Sequence, residues 1–221
     1  MTFLYPISFF ASLLLLLSPG LAHGQDRKPN FYLGGRAGYS SYTMEGEEVK
    51  LHTHPGADEL KRAQWFTVGA IARRRIYRPL SLQAEVNYLR EGGSFKGGYF
   101  LGKTVYTIDC LQIPLLLDVE LPAAQHLSLH LQGGLAFTSV IKGVELDMSS
   151  FASRTTFTNP SSFFAPVYGG ELAWHEGRRV YFFNARYTHD LTDFFQREYA
   201  GTHYNARSSG FSLTIGALVA M

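Results

Sequence analysis

Ser81-Leu82-Gln83-Ala84-Glu85-Val86-Asn87-Tyr88 is the stretch that decides the fold. Leu82, Ala84, Val86 and Tyr88 fall on one side of an extended chain, and Ser81, Gln83, Glu85 and Asn87 on the other. A period of two marks a strand whose faces meet different environments, because successive side chains point to opposite sides. A helix would bring Gln83 and Val86 onto one face and destroy the separation.

The same alternation recurs in both directions. In Leu111–Val119 the apolar side is Leu111, Ile113, Leu115, Leu117 and Val119, against Gln112, Pro114 and Asp118. Pro114 lacks an amide donor and predicts a bulge or a local pairing defect. In Leu127–Phe137 Leu127, Leu129, Leu131, Leu135 and Phe137 oppose Ser128, His130, Gln132 and Ala136. In Val180–Leu191 Tyr181, Phe183, Ala185 and Tyr187 oppose Asn184, Arg186 and Thr188; Phe211–Met221 alternates likewise. The Gly-rich segments Phe31–Tyr42, Ala63–Ile76 and Phe163–Trp174 complete a set of eight, with their facing left open. Residues 25–221 divided by eight leave about 25 per strand and connection, the length of a membrane-crossing strand plus its loop.

Connections alternate in length. Those around Arg78-Pro79, Pro122-Ala123-Ala124 and Glu176-Gly177-Arg178 are short, and those at 43–62, 91–102, 142–162 and 192–208 are longer and polar. Short turns at one end and long loops at the other is the asymmetry of outer-membrane barrels, whose long loops face outward. Aromatic residues near the strand ends (Tyr39, Tyr42, Tyr88, Tyr99, Phe100, Tyr106, Tyr181, Tyr187 and Tyr199) fit interfacial girdles.

Composition agrees. Charged residues are 17% and aromatics 14% of the chain, yet the mean hydropathy is only -0.05. A helical membrane protein would be far more apolar, whereas a barrel with an apolar outside and a polar inside averages near zero. A formal net charge of +2 gives no argument for nucleic acid. Residues 1–24 read as a cleaved signal peptide: Phe3–Leu21 is largely apolar, Pro19 and Gly20 break it, and Ala22-His23-Gly24 places the cut before Gln25. That leaves 25–221 as the barrel domain. The one cysteine, Cys110, cannot form an internal disulfide and is expected to be a small packing residue.

Three stretches carry a family resemblance: Leu80–Tyr88 with Gly92-Gly93 after it, Leu111-Gln112-Ile113-Pro114-Leu115, and Ala185-Arg186-Tyr187 followed by Asp190-Leu191-Thr192-Asp193. In order and spacing the chain resembles the small outer-membrane β-barrel family common in Bacteroidetes, the PorT-like or "porin family" barrels. The resemblance implies an outer-membrane location and an eight-stranded fold, with no specific activity. The chain departs from the usual pattern at Met221, where such barrels carry an aromatic residue, typically Phe.

Eight strands enclose an interior just wide enough for side chains to fill, so no open pore is expected. Candidate lumen residues are Arg36, Gln83, Glu85, Asn87, Gln112, His130, Gln132, Glu171, Asn184 and Arg186. Arg36 and Arg186 are expected to pair with Glu85 and Glu171 as an internal polar network, a scaffold in preference to an ion path. His52 and His54, with Asp58 and Glu59 downstream, are a loop candidate for a transition metal; a solvated loop is the plainer reading. His189-Asp190, or Ser208 with His203, would have to serve any embedded hydrolase, and nothing in the sequence fixes their geometry. Arg73-Arg74-Arg75 with Arg78 is placed at a turn, as an anchor to lipid phosphates or a dock for a periplasmic partner.

The sequence therefore predicts an all-β protein, an eight-stranded antiparallel up-and-down transmembrane β-barrel. It predicts no catalytic residues, no cofactor and a structural or loop-mediated recognition and adhesion role. Its expected surroundings are outer-membrane lipid and lipopolysaccharide, the barrel-assembly machinery during biogenesis, and an extracellular ligand at the long loops. It is expected to be monomeric, with no nucleic acid partner. Two other readings stand beside this one: a soluble periplasmic or secreted barrel holding an apolar ligand, and a membrane-embedded lipid hydrolase.

Overall fold

The computed structural model describes residues 30–45, 58–96, 103–147, 153–157, 162–191, 195–199 and 202–221. The expected signal peptide, residues 1–24, and the metal candidates His52 and His54 lie outside the described residues.

The strands are β1 (Phe31–Glu45), β2 (Asp58–Tyr77), β3 (Leu80–Lys96), β4 (Lys103–Pro122) and β5 (Leu127–Asp147), then β6 (Ser153–Phe157), β7 (Ser162–Glu176), β8 (Arg179–His189), β9 (Phe195–Tyr199) and β10 (Thr202–Ala220). Eight of them form a closed antiparallel wall in the order β1-β2-β3-β4-β5-β7-β8-β10, and β10 pairs back onto β1 from Tyr32–Ala220 to Glu45–Arg207. The short β6 pairs with the far end of β5, and the short β9 with the far end of β10. A closed antiparallel wall leaves no unpaired edge in lipid, where each orphaned amide or carbonyl is costly.

Three tight connections mark the turn end: Arg78-Pro79, residues 123–126, and Gly177-Arg178. Gly177 adopts φ +57°, which a two-residue hairpin turn demands and which Gly meets without steric cost. At the opposite, loop end the strands run further than expected: β3 continues to Lys96 and β4 starts at Lys103, inside what the sequence marked as the loop 91–102. The reason is local: Glu91, Gly92 and Gly93 are all buried, so this part of β3 carries no outward apolar side chain by which alternation could mark it as strand. Pro114 leaves a pairing defect without a register change, for the β3–β4 ladder goes from Ala84–Leu115 to Asn87–Gln112 and skips the Glu85–Pro114 and Val86–Ile113 positions.

The outer wall is apolar. On β4 the outward series runs Leu111, Ile113, Leu115, Leu117, Val119, Leu121, and Asp109 bounds it on the loop side. About ten steps of ~3.3 Å at a tilt of roughly 45° cover about 23 Å, close to the ~25 Å apolar band of membrane barrels. The Gly-rich strands acquire a facing too: Phe66, Val68, Phe164, Tyr168, Leu172 and Trp174 point out, while Thr67, Arg73, Phe163 and Glu171 point in. Trp65 lies against Arg90, 4.3 Å from ring centre to guanidinium, at the loop rim, and Trp174 contacts the His126 ring at the turn rim. Tyr88, Tyr181 and Tyr187 face outward as girdle residues should. Tyr42 does not: it is buried in the lumen, because its place on β1 shares the inward parity of Arg36 and Ser40. A barrel built around an apolar ligand would need the opposite arrangement, with Gln83, Glu85 and Asn87 wet; all three are buried inside.

β1 and β10 approach closely at the closing seam. A Cβ at Gly34 would fall on the Ala217 carbonyl, and one at Gly38 on the Leu213 carbonyl. Only a residue without a side chain fits there.

Candidate functional site

The middle of the lumen is filled by ion pairs and amides. Glu85 projects inward from β3 between two guanidinium groups: Arg186 Nη1 from β8 donates at 2.8 Å, and Arg36 Nη2 from β1 lies at 3.2 Å. Asn87 Nδ2 donates to the same carboxylate at 3.0 Å, and the Gln83 amide donates to it as well. Arg36 Nε in turn donates to Asn87 Oδ1 at 3.2 Å.

Glu171, from β7, is held by a different cation. Arg73 Nη2 donates to Glu171 Oε1 at 2.7 Å and lies 3.7 Å from Asp118 Oδ2. Gln132 joins the two halves: its Nε2 donates to Asp118 Oδ2 at 2.7 Å and to Glu171 Oε2 at 3.2 Å. Its Oε1 accepts from Asn184 Nδ2 at 2.8 Å and from Arg186 Nη2 at 2.7 Å. Arg36, Arg73 and Arg186 thus stand against Glu85, Asp118 and Glu171, a balance of charge that a dry interior requires.

The structure brings Arg36, Glu85 and Arg186 into direct contact, and joins Glu171 to them through Gln132. The cation on Glu171 is Arg73, which sequence reasoning had put at a turn. The correction follows from parity: Arg73 and Arg75 point inward and Arg74 outward on one strand, so three consecutive arginines take two different roles. Arg75 Nη2 pairs with Glu120 Oε2 at 2.8 Å nearer the turn end. Of the original basic group, Arg78 is exposed at the turn itself.

Two further arrangements were not anticipated. Asp118, His130 and Glu171 place potential metal-ligand atoms within 4.8 Å of one another. The Arg73 guanidinium already supplies positive charge at that point, so a metal would have to displace it. Asp118, His130 and Ser128 also form a hydrogen-bonded chain, with Asp118 Oδ1 to His130 Nδ1 at 2.7 Å and His130 Nε2 to Ser128 Oγ at 2.9 Å. That is the order of orienter, base and hydroxyl found in acyl-transfer enzymes. Here Ser128 Oγ is also bonded to His175 Nε2 at 2.7 Å and is buried. The adjoining cavity, between His130, His175, Arg75 and Glu120, measures about 10 Å³. That is room for about one water molecule beside His130 and His175. The signal for this chain was available in Ser128 and His130 at positions i and i+2 of an inward face, with Asp118 on the neighbouring strand. The other hydrolase candidates do not assemble: His189 points away from the lumen while Asp190 and Ser208 are buried, and the His203 side chain lies outside the described residues.

The family described as outer membrane protein beta-barrel domain matches residues 24–196. The structure is similar to the crystal structure of Neisserial surface protein A, with 14% identity over 86% of this chain and 97% of that one and a TM-score of 0.50. It is similar to the outer membrane protein OprG from Pseudomonas aeruginosa, with 9% identity over 88% of this chain and 98% of that one and a TM-score of 0.50. At these identities the likeness is one of fold. No curated protein matches the chain.

Proposed function

Because the chain belongs to the outer membrane protein beta-barrel domain family, we propose that it works as a closed outer-membrane barrel that recognises partners through its loop end and conducts nothing through its lumen. One observation carries this reading. Two guanidinium–carboxylate clusters, Arg36 and Arg186 on Glu85 and Arg73 on Asp118 and Glu171, fill the middle of the lumen together with their amides, and the cavity beside them at the turn end measures about 10 Å³. A barrel plugged by its own side chains offers the outside world only its connections. In this reading the chain is not an enzyme, residues 1–24 are removed on export, and the loop end faces the medium. The three stretches around Tyr88, Pro114 and Arg186 support a closer placement among the PorT-like barrels of Bacteroidetes.

The test has two arms. The protein purified from outer membranes is reconstituted in planar bilayers, where no steady conductance above bare lipid is expected; stable ohmic steps would sink the closed-barrel reading. Whole cells displaying the chain are then compared on immobilised glycans and matrix proteins with cells displaying a variant in which Gly-Ser linkers replace 46–57 and 148–152. Loss of binding with a retained heat-modifiable band supports recognition by the loops, and equal binding by both refutes it.

A further inference from the structure

Among the described residues seven buried polar side-chain atoms lack a hydrogen-bond partner: three are dispersed on Arg36, Asn184 and Thr214, and the other four fall on three residues. These four are Glu91 Oε1 and Oε2, Asp190 Oδ1 and Ser208 Oγ, and each of the three residues is 1% exposed. All lie at the loop end of the lumen. Glu91 is two positions beyond Leu89 on β3, Asp190 follows the last residue of β8, and Ser208 is on β10. Asp190 and Ser208 are tied through their backbones: Ser208 N donates to Asp190 Oδ2 at 3.0 Å, and Asp190 N to Ser208 O at 2.9 Å. The Ser208 hydroxyl lies beside Glu91 without completing a hydrogen bond, which brings the Glu91 and Asp190 carboxyl groups to the same end of the lumen.

Among the described residues no arginine, lysine or histidine forms an ion pair with either carboxylate. An apolar layer containing Tyr42, Leu89, Ile108 and Cys110 separates them from the balanced network below. Two buried, uncompensated carboxylates are costly, and every unmade acceptor adds to the cost. A single shared proton would remove one charge and satisfy one O–H···O contact, leaving the remaining oxygens as they are. A divalent cation neutralises both charges and draws on the carboxylates and the hydroxyl together. Every donor is an oxygen, the set preferred by a hard ion.

We propose that Glu91, Asp190 and Ser208 form a binding site for a hard divalent cation, calcium or magnesium, at the loop end of the barrel. The ion joins β3, β8 and β10 across the lumen, clamping the mouth from which the long connections spring. Backbone carbonyls and water complete its coordination.

The experiment uses the chain purified from outer membranes in detergent and stripped with EDTA. Calorimetric titration with calcium chloride, then separately with magnesium chloride, reads binding; urea unfolding followed by tryptophan fluorescence reads stability. One site per barrel is expected, with a dissociation constant of about 10⁻⁴–10⁻³ M, the range of extracellular calcium modules. At an ion concentration tenfold above that constant, the folded-to-unfolded ratio rises about elevenfold over EDTA. Glu91→Gln and Asp190→Asn abolish both responses, and Ser208→Ala weakens binding several-fold. Because each amide variant removes buried charge, both variants are expected to fold in EDTA at least as well as the parent. Asp109→Asn, an acid on the outer wall, keeps the full response. The absence of binding heat together with coincident unfolding curves overturns the proposal, as does a response that survives in the Glu91→Gln, Asp190→Asn double variant. Stability that tracks pH alone, with no response to either ion, assigns a shared proton instead and overturns it too.

Discussion

Replacing Glu85 with glutamine leaves the Arg36 and Arg186 guanidinium groups facing each other across a lumen from which water is shut out. In the native barrel they approach the carboxylate to 3.2 and 2.8 Å. At ~3 Å and an effective dielectric of about 20, each attraction is on the order of 5 kcal/mol before desolvation is subtracted. Breaking a buried pair by removing one partner costs roughly 3–5 kcal/mol net. Arg186 keeps its bonds to Gln132 Oε1 and Arg36 keeps Asn87, which places the expected loss near the lower limit, ~3 kcal/mol. Urea unfolding of the purified barrel in micelles, read by the fluorescence of Trp65 and Trp174, measures it. A Glu85→Gln, Arg186→Met double variant should lose less than the two single variants summed, with a coupling of at least ~1 kcal/mol. A loss below ~1 kcal/mol for Glu85→Gln with an unchanged denaturant slope would mean that water, and not the protein, screens the lumen charges. The closed-lumen argument would fall with it.

Other perturbations probe the wall and the packing. Gly38→Ala sets a methyl group on the Leu213 carbonyl, whereas a Cβ at Gly133 meets nothing within 4 Å; Gly38→Ala should therefore lose the fast-migrating unboiled band on SDS gels and Gly133→Ala should keep it. Leu135 is 54% exposed on the outer wall opposite Leu115, so Leu135→Arg should cost about 2–4 kcal/mol in lipid vesicles. Equal stability of that variant would mean the apolar face does not meet hydrocarbon. Cys110 is fully buried and should react with a maleimide only after urea unfolding; rapid labelling of the folded barrel would place it outside the apolar layer.

Where one face is wet or lipid-bound and the other enclosed, the side-chain pattern could be read from the sequence. Gln83, Glu85 and Asn87 point in and Val86 and Tyr88 point out because the strand cannot place them otherwise. Arg73 was illegible for the converse reason: in Arg73-Arg74-Arg75 the residue type does not change while the facing does, so alternation leaves no trace. Glu91 escaped notice because it lies past the last apolar outward residue of β3, in a segment that the sequence marks as loop. Its burial comes from the strand continuing and from Ser208 and Asp190 arriving from 99 to 117 residues further along the chain. The Asp118–His130–Ser128 chain depends on a side-chain diagonal between β4 and β5 that no single strand's pattern reports. Which cation meets which carboxylate is likewise a matter of register, and register belongs to the closed wall as a whole.

The seam between β1 and β10 carries one more consequence. Gly34 and Gly38 let the two strands lie backbone to backbone, and this contact joins the earliest strand of the wall to the latest. Until β10 is present, β1 carries a row of unanswered amides and carbonyls on one side, a state that hydrocarbon does not tolerate. The barrel thus has no stable half-built form inside the bilayer. Transfer of the wall into hydrocarbon is therefore favourable only once the last strand has closed on the first.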